Sequence, residues 1–327
     1  MSNIVPQRLK KGDEIRIVAP SLSLKIIRQD CREIAKERFE AMGLKVSFGK
    51  NTAKEDMNIF ASSDIKDRAD DIMDAFRDKN VKAIFTIIGG FNSNQILPFL
   101  DYEVIKNNPK ILCGYSDITA LHGAIRAKTG LVTFYGPHYS SVGMKKGNEY
   151  TLERMRKTLF DGSDDIKASV EWSDDLWFLD QEKREFIKND GWWVLHDGEA
   201  KGVLEGGNLS TLMLLNGTPY QPKFKEDTIL AVENCYISAA DDKEFLRQLQ
   251  ALVQRDDFAN VKALIVGRFQ KESAITKEKL KFIIDYIPQL KNLPVIANVD
   301  FGHTTPMATL PLGGRCRVES NKIKVEW

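Results

Sequence analysis

The chain has 327 residues, of which 43% are hydrophobic and 28% are charged, a composition typical of globular proteins. Its formal net charge of +1 gives no electrostatic reason to expect nucleic acid or a membrane surface as a partner. The length exceeds that of a usual single hydrophobic core, and there is no run of about 18 apolar residues, so we expect two domains and no transmembrane helix.

The cysteine and histidine content gives no sign of disulfides or of a metal site. The four cysteines are widely separated and form no C-x-x-C pair, which favours reduced thiols in a cytoplasmic protein. The N-terminal stretch lacks the apolar segment of a secretory signal peptide, so we predict a cytoplasmic location. The four histidines show no spacing typical of metal ligands, and we expect neither a metal nor a cofactor.

The first half of the chain alternates predicted strands and helices. Apolar strands are predicted at 14–21, 44–50, 81–90, 111–113 and 131–137. Helices are predicted at 24–42, 64–78 and 118–128, with a short helix from about Ser93. This alternation indicates a parallel α/β sheet, in which ligands bind beyond the carboxyl ends of the strands.

The character of the sequence changes after residue 137. A helix is predicted at 151–162, and the charged segment 163–197 is expected to be irregular. That segment holds four of the five tryptophans, which are Trp172, Trp177, Trp192 and Trp193. Glycine-rich turns and short strands follow, with helices at about 239–254 and 276–287, and this pattern predicts a second, mixed α/β domain.

The stretch KILCGYSDITALHGA is predicted to form a strand, a sharp turn and a helix, with Ser116 in the turn. Gly114 and Ser116 match the first half of the G-x-S-x-G motif of nucleophilic serines, but Ile118 replaces its second glycine. The free N–H groups at a helix N-terminus would stabilise an anion at this turn, so the backbone amides of Asp117 and Gly90 are candidate oxyanion donors. A simple helix-capping role for Ser116 remains the alternative.

A serine nucleophile needs a base and a carboxylate that orients the base. His303 follows the apolar strand LPVIANV in a glycine-containing loop, and Glu233 ends the apolar strand TILAVE. The order Ser116, Glu233, His303 is that of hydrolases built on α/β sheets. The alternative interpretation of His303 is a surface histidine, and the alternative interpretation of Glu233 is a structural ion pair.

Several sequence blocks in this order resemble the LD-carboxypeptidase family of serine peptidases, which includes muramoyl-tetrapeptide carboxypeptidases and the microcin C immunity proteins. The blocks are KGDEIRIVAPS, the GG that ends VKAIFTIIGG, PKILCGYSDITALH, TFYGPH, LEGGNLSTL, AVEN and FGH. The resemblance implies a flavodoxin-like N-terminal domain with a parallel sheet and a smaller β-rich, mixed C-terminal domain, commonly in a homodimer. The expected boundaries are 1–150 for the first domain, 151–197 for a linker with a Trp-rich loop, and 198–327 for the second domain.

The same resemblance implies a metal-independent serine carboxypeptidase or amidase that works through an acyl-enzyme. Ser116 matches the nucleophile of the family, Glu233 its acidic residue and His303 its base. Gly90 and Asp117 match the residues whose backbone amides form the oxyanion hole. The nucleophile would then come from the first domain and the other two side chains from the second, so that the site lies at their junction.

One loop favours the microcin immunity branch of the family. Murein-recycling members usually carry an Arg-Gly-Gly-Tyr-Gly type of loop where this chain has IGGFN at 88–92. Members of the microcin branch cleave a bond that joins an aminoacyl group to a nucleotide analogue. We therefore expect substrate contacts from Asn92, Asn208 and Trp177, with Trp177, or else Trp172, stacked on a nucleobase. Packing at the domain junction is the alternative for the tryptophans, and a turn asparagine is the alternative for Asn208.

Three other functions stay open. One is the removal of the terminal D-Ala from a murein tetrapeptide by an LD-carboxypeptidase. Another is a non-hydrolytic nucleotide-binding module in which Gly89 and Gly90 cradle a phosphate, although the chain has neither a G-x-G-x-x-G motif nor a P-loop lysine. A third is an enzyme with Cys113 as the nucleophile, although this cysteine lies inside an apolar run. Each enzymatic function implies a small-molecule or peptide substrate as the partner.

Overall fold

The computed structural model describes residues 3–235 and 241–327, and these fold around two β-sheets. The strands of the first sheet are β1 (Glu14–Val18), β2 (Lys45–Phe48), β3 (Val81–Thr86), β4 (Ile111–Gly114), β5 (Thr133–Tyr135) and β14 (Leu310–Leu312). Their order in the described sheet is β14–β5–β4–β3–β1–β2. Strands β1 to β5 are parallel, and β14 is antiparallel to β5. The parallel part has the strand order of flavodoxin-like domains, which confirms the predicted fold class.

Helices cover both faces of this sheet. They are α1 (Gln29–Ala41), α2 (Ile65–Arg77), α3 (Tyr102–Asn107), α4 (Thr119–Thr129), α5 (Tyr139–Val142) and α6 (Glu149–Arg156). Successive residues of β3 enter different cores: Phe85 packs in the same core as Phe39 of α1, and Ile84 packs in the same core as Phe76 of α2. A strand that is covered on both faces must be apolar almost throughout, which explains the uniform apolar run of β3.

The second sheet is mixed. Its strands are β6 (Ser163–Ile166), β9 (Trp193–His196), β10 (Glu199–Asn208), β11 (Thr228–Glu233), β12 (Val261–Gly267), β13 (Val295–Val299), β15 (Arg315–Glu319) and β16 (Lys322–Glu326). Their order in the described structure is β6–β16–β15–β10–β11–β12–β13–β9. The central strands β10 to β13 are parallel, and the outer strands are antiparallel to their neighbours. A small ribbon pairs β7 (Glu171–Trp172) with β8 (Ile187–Lys188).

The second sheet packs against helices on one face and against the first sheet on the other. Its helices are α7 (Leu209–Met213), α8 (Asp241–Val253) and α9 (Lys277–Tyr286). Phe245 of α8 shares a core with Leu230 of β11, whereas Ile229 shares a core with Tyr135 of β5. Strand β14 crosses from the second half of the chain into the first sheet. The two sheets are therefore packed together, while the boundaries at residues 150 and 197 stay predictions.

The clearest differences from the predicted secondary structure lie in two stretches. The predicted helix at 24–42 is interrupted, because a 3-10 turn at Leu24–Ile26 ends in extended backbone before α1 begins at Gln29. The segment 163–197, predicted to be irregular, contains β6, β7, β8 and β9. The apolar pattern of β6 is hidden because one of its buried side chains is the carboxylate of Asp164, which is paired with Arg154.

Candidate active site

Ser116 lies in the sharp turn between β4 and α4. Its backbone has a φ of +59°, in the left-handed region that residues with a side chain rarely adopt. A 3-10 turn, Ser116–Ile118, leads into α4, and in the described structure no side chain caps the start of either element. This strand–turn–helix geometry is typical of a nucleophile elbow, whereas it does not support the alternative of a capping serine.

His303 lies in the loop after β13, and its ring bridges Ser116 and Glu233. The Nε2 atom lies 2.9 Å from the Ser116 Oγ, and the Nδ1 atom lies 2.7 Å from the Glu233 Oε2. Because an ionised carboxylate can only accept a hydrogen bond, Nδ1 donates to Glu233. A neutral ring therefore presents an unprotonated Nε2 to the hydroxyl of Ser116, which is the tautomer that a general base needs.

Glu233 ends β11, and its side chain is fully buried. Its Oε1 accepts hydrogen bonds from the Tyr135 hydroxyl at 2.6 Å and from the Asn208 Nδ2 at 3.0 Å. With Oε2 bonded to His303, both oxygens of the carboxylate have partners, as a buried charge requires. The Asn208 Oδ1 accepts from the backbone N–H of Thr211 at 3.0 Å, so Asn208 joins the start of α7 to Glu233.

The electrostatic setting favours the charged forms of both His303 and Glu233. Burial disfavours the imidazolium, but the charge of Glu233, the contact with Cys235 and the hydrogen bond to Glu233 together raise the pKa of His303 well above its usual value. Burial also disfavours the carboxylate, but the charge of His303 and the hydrogen bonds that Glu233 accepts lower the pKa of Glu233. The two side chains thus stabilise each other as an ion pair.

Within the described residues, His303 is the histidine that is hydrogen-bonded to Ser116, and Cys113 has a setting that does not suit a nucleophile. The hydrogen-bond partners of the other three histidines are the Gly114 carbonyl for His122, the Thr86 hydroxyl for His138, and both the Asp285 carboxylate and the Leu293 carbonyl for His196. Burial lowers the pKa of His122 to about 4. Cys113 is fully buried, and burial raises the pKa of its thiol, so the reactive thiolate is disfavoured.

The loop after β3, which carries Gly90, is tied to the serine turn by the side chain of Asp117. The Asp117 Oδ2 accepts hydrogen bonds from the backbone N–H of Asn92 at 3.0 Å and of Ser93 at 2.9 Å. The Ser93 hydroxyl donates to the Asp117 carbonyl at 2.6 Å. The two backbone segments that carry the predicted oxyanion donors are therefore held together.

Two glycines allow this loop to approach Ser116. A Cβ atom on Gly89 would lie 3.0 Å from the Ser116 Cβ. Gly90 has a φ of +150°, and a Cβ atom there would lie 2.2 Å from the Ser21 Oγ. A side chain at Gly90 would displace the loop, and one at Gly89 would press against the serine turn, so glycine at both positions favours this close backbone approach.

The side chain of Asn92 is buried beneath the loop. Its Oδ1 accepts from the Ser21 hydroxyl at 2.7 Å and from the Arg68 Nη1 at 3.3 Å, and its Nδ2 donates to the Ser62 hydroxyl at 2.9 Å. Arg68 also donates to the carbonyl of Pro20 at 2.9 Å. These contacts make Asn92 a brace for the loop, and this conformation offers its side chain no access to a substrate.

A cavity of about 210 Å³ opens beside His303 and is lined by Tyr115, Ile88 and Trp177, among others. A more apolar cavity of about 260 Å³ lies next to it, and Ile88 and Trp177 line both. Trp177 is half-buried and also packs against the core of the first sheet. The predicted site residues Trp177 and His303 thus face one cavity. Asn208, which is bonded to Glu233, is not among the residues that line it.

The segment that carries Trp177 is hydrogen-bonded to the loop that carries His303. The backbone of Ser173 donates to Thr305 at 2.7 Å, and the backbone of Thr305 donates back at 2.8 Å. Asp300, at the start of the same loop, is fully buried and paired with Arg268 at 2.8 Å. His303 and Trp177 therefore belong to one connected wall of the cavity.

Sequence reasoning missed two residues that build the site, Tyr135 and Arg68. Tyr135 ends β5, beside the strand that leads to Ser116, so its position at a carboxyl strand end was a usable signal. Arg68 lies three residues after Ile65 and four before Ile72, which places it on the buried face of α2. A buried arginine at that spacing indicates a residue that donates hydrogen bonds to several neighbouring segments.

Residues 3–235 and 241–327 show neither a metal-binding cluster nor a membrane-spanning helix. No group of three or more histidine, cysteine, aspartate or glutamate side chains has an arrangement that could hold a metal ion. No helix in these ranges is long and apolar enough to cross a membrane.

Comparison with family models assigns the chain to a class of peptidases. Residues 15–136 match the model described as the LD-carboxypeptidase N-terminal domain. Residues 201–318 match the model described as the LD-carboxypeptidase C-terminal domain. The chain belongs to the LD-carboxypeptidase family, as its sequence blocks predicted.

Individual relatives extend the similarity over nearly the whole chain. A Bacillus subtilis (strain 168) protein named as a carboxypeptidase is 50% identical over 96% of this chain and 95% of its own length. The crystal structure of an MccF-like protein from Bacillus anthracis str. Ames has 46% identity and a TM-score of 0.96, with 99% of both chains covered. The microcin C7 self-immunity protein MccF, solved with aspartyl sulfamoyl adenosine, has 31% identity and a TM-score of 0.87, with 99% of this chain and 98% of that chain covered.

Proposed function

We propose that the protein is a serine-type hydrolase in which Ser116 attacks a carbonyl carbon, with His303 as base and Glu233 as the residue that orients it. The observation that carries this proposal is the continuous contact from the Ser116 Oγ through both ring nitrogens of His303 to a buried carboxylate. The left-handed backbone of Ser116 supports it. The raised pKa of His303 and the lowered pKa of Glu233, both opposite to the effect of burial, support it as well.

The chemistry follows from the positions of these atoms. His303 Nε2 takes the hydroxyl proton as Ser116 Oγ forms a bond to the carbonyl carbon, and Glu233 stabilises the imidazolium. The backbone amides of Gly90 and Asp117 donate to the oxyanion of the tetrahedral intermediate. Collapse of the intermediate breaks the amide bond, and His303 gives its proton to the leaving nitrogen. Water, activated by the same base, then hydrolyses the acyl-enzyme without a metal ion.

For the substrate, we propose an amino acid joined by an amide-type bond to a nucleotide analogue. Two observations support this class over a murein peptide. Ile88 places an apolar side chain in the lining of the cavity beside His303, at the position where murein-recycling members usually carry arginine. Trp177 lines the same cavity and offers a ring face for a nucleobase. The solved relative that binds aspartyl sulfamoyl adenosine fits this proposal. A self-immunity role against microcin C-like compounds and a homodimeric state belong to the same proposal.

The experiment that tests the proposal offers two substrates to one preparation. Aspartyl sulfamoyl adenosine and a synthetic murein tetrapeptide that ends in D-Ala are incubated separately, and the products are measured by mass spectrometry. We expect release of aspartate and sulfamoyl adenosine, with little D-Ala. Preferential release of D-Ala would instead establish the second candidate, an LD-carboxypeptidase, which the family membership favours.

The same experiment separates an enzyme from a binding module. Tight binding of the nucleoside without turnover would favour the non-hydrolytic module. Turnover that EDTA abolishes and zinc restores would contradict the metal-independent mechanism. Loss of turnover in Ser116→Ala, with retained binding, is the result that the proposed hydrolase requires.

A further inference from the structure

We propose that Tyr135 is a positioning residue whose hydroxyl couples the backbone of Ser116 to the carboxylate of Glu233. This inference rests on the proposed serine hydrolase and deepens it by adding a residue to which the sequence analysis assigned no role. The Tyr135 hydroxyl accepts from the backbone N–H of Ser116 at 3.1 Å and donates to the Glu233 Oε1 at 2.6 Å.

The direction of both hydrogen bonds is fixed by chemistry. A backbone N–H can only donate, and an ionised carboxylate can only accept. The phenol must therefore direct its hydrogen to Glu233 and a lone pair to Ser116. No other orientation of the hydroxyl satisfies both neighbours, so this one oxygen sets the distance between the serine backbone and the carboxylate.

The contact completes a closed ring of hydrogen bonds. One arm runs from the Ser116 Oγ through the His303 ring to the Glu233 Oε2. The other arm runs from the Ser116 N–H through Tyr135 to the Glu233 Oε1. The first arm carries the proposed proton transfer. The second arm fixes the positions of Ser116 and Glu233, the two residues at the ends of the first. Without the second arm, the strained φ of Ser116 would lose a hydrogen bond that supports it.

The position of Tyr135 suits a coupling element between the two sheets. It ends β5 of the first sheet, and its fully buried ring shares a core with Ile229 and Leu310. Glu233 belongs to β11 of the second sheet. Because packing already fixes the ring, Tyr135→Phe removes the hydroxyl and little else, which makes this variant a clean probe.

The expected effect of Tyr135→Phe has two parts. Turnover should fall about 10- to 100-fold, the size expected when a hydrogen bond to a charged group is lost, with KM nearly unchanged. The acid limb of the pH profile of kcat/KM should move to higher pH. Glu233 with one hydrogen-bond donor fewer attracts the proton of His303 more strongly, and this raises the pKa of His303. The other ionisable groups that face His303 are Tyr115, His138 and Cys235, and the variant leaves all of them in place.

A matched control is Tyr139→Phe. Tyr139 is also buried, and its hydroxyl donates to the backbone carbonyl of Arg32 at 2.6 Å, away from the proposed machinery. A purely structural hydroxyl of this kind should cost stability in thermal unfolding without moving the pH limb. A Tyr135→Phe enzyme with normal kcat and an unmoved limb would overturn the inference.

A second probe keeps both hydrogen bonds and so guards against misfolding. Site-specific 3-fluorotyrosine at position 135 is a stronger donor, which should draw charge from Glu233 and move the acid limb to lower pH. A shift in the other direction, or none, would overturn the inference. Ser116→Ala, measured alongside, separates the two proposals: if that variant keeps its activity, the hydrolase proposal fails, whereas loss in Ser116→Ala with no effect at position 135 rejects the coupling role alone.

Discussion

Ser116 and His303 are separated by 187 positions in the chain, yet the hydroxyl oxygen of one lies 2.9 Å from the ring nitrogen of the other. The serine follows a strand of the first sheet and the histidine follows a strand of the second. Packing of the two sheets across the core that contains Tyr135 brings these strand ends together. The contact between the two residues is therefore a product of the domain packing, and any function that depends on it depends on that packing too.

Removal of the serine hydroxyl should abolish most of the activity. We expect Ser116→Ala to lower kcat/KM roughly 10³- to 10⁶-fold while the protein stays folded, because alanine changes only the nucleophilic atom. Hydrolysis of aspartyl sulfamoyl adenosine, with thermal unfolding in parallel, measures both effects. Ser320→Ala is a matched control, since Ser320 also has a left-handed φ, of +47°, in a turn at the surface. Equal activities in the two variants would reject Ser116 as the nucleophile.

Neutralising Glu233 should show whether this residue acts on His303 or only packs in the core. Glu233→Gln keeps the shape of the side chain but cannot stabilise the imidazolium, so kcat should fall roughly 10²- to 10⁴-fold. Glu226→Gln alters an exposed carboxylate whose ion pair with Arg315 spans 3.9 Å, and its steady-state kinetics should match the wild type. If Glu233→Gln turns over normally, the carboxylate is only a structural residue.

The pH dependence of activity follows from the direction of the His303 shift. The base must be neutral to accept a proton, and Glu233 raises its pKa, so neutral His303 forms at higher pH than in a free histidine. The acid limb of kcat/KM should therefore have its midpoint above 6.5. A pH–rate profile measures it directly. A midpoint at or below 6.5 would show that the ion pair does not control the base.

The same ion pair makes a contribution to stability that is confined to a pH window. His303, with its raised pKa, stabilises the fold below the usual histidine pKa and loses that contribution as the pH rises through the folded-state value. Glu233, with its lowered pKa, contributes above the usual glutamate pKa and loses that contribution as the pH falls. Thermal unfolding of wild type and Glu233→Gln should differ most between these limits. A difference that is constant from acid to alkaline pH would contradict the coupling.

A side chain at Gly90 should damage the oxyanion site. In Gly90→Ala the new Cβ atom would lie 2.2 Å from the Ser21 Oγ, so the loop must move and its backbone donor with it. We expect kcat to fall about 100-fold or more, with a smaller change in KM. Gly12→Ala is the control, because Gly12 also has a positive φ, of +92°, but no atom lies within 4 Å of its added Cβ. Equal kcat values in Gly90→Ala and Gly12→Ala would contradict a role for the position of the Gly90 loop in turnover.

The sequence was most informative where a strand end and a reactive residue type coincide. Ser116, Glu233 and His303 each follow or end an apolar strand, and the ends of parallel strands lie at one edge of a sheet. The contact between these three side chains across two sheets could not be derived from periodicity, because the relative placement of the sheets depends on long-range packing. The resemblance to a family supplied that step.

The polar residues around the site were harder to predict. Asn92 and Asn208 were expected to contact substrate, yet their side chains bond to Arg68 and Glu233 inside the protein. The sequence marks an asparagine near a turn but not the direction of its side chain. The role of Tyr135 was equally hidden, since a tyrosine at the end of an apolar strand first suggests simple burial.

The most direct test of the account is covalent labelling of Ser116. A fluorophosphonate probe reacts with an activated serine, and peptide mapping by mass spectrometry identifies the modified residue. We predict one modified site, Ser116, with no label in Ser116→Ala and much slower labelling in His303→Ala. An active preparation that hydrolyses substrate while Ser116 remains unmodified, or that is labelled at another residue, would contradict the central claim.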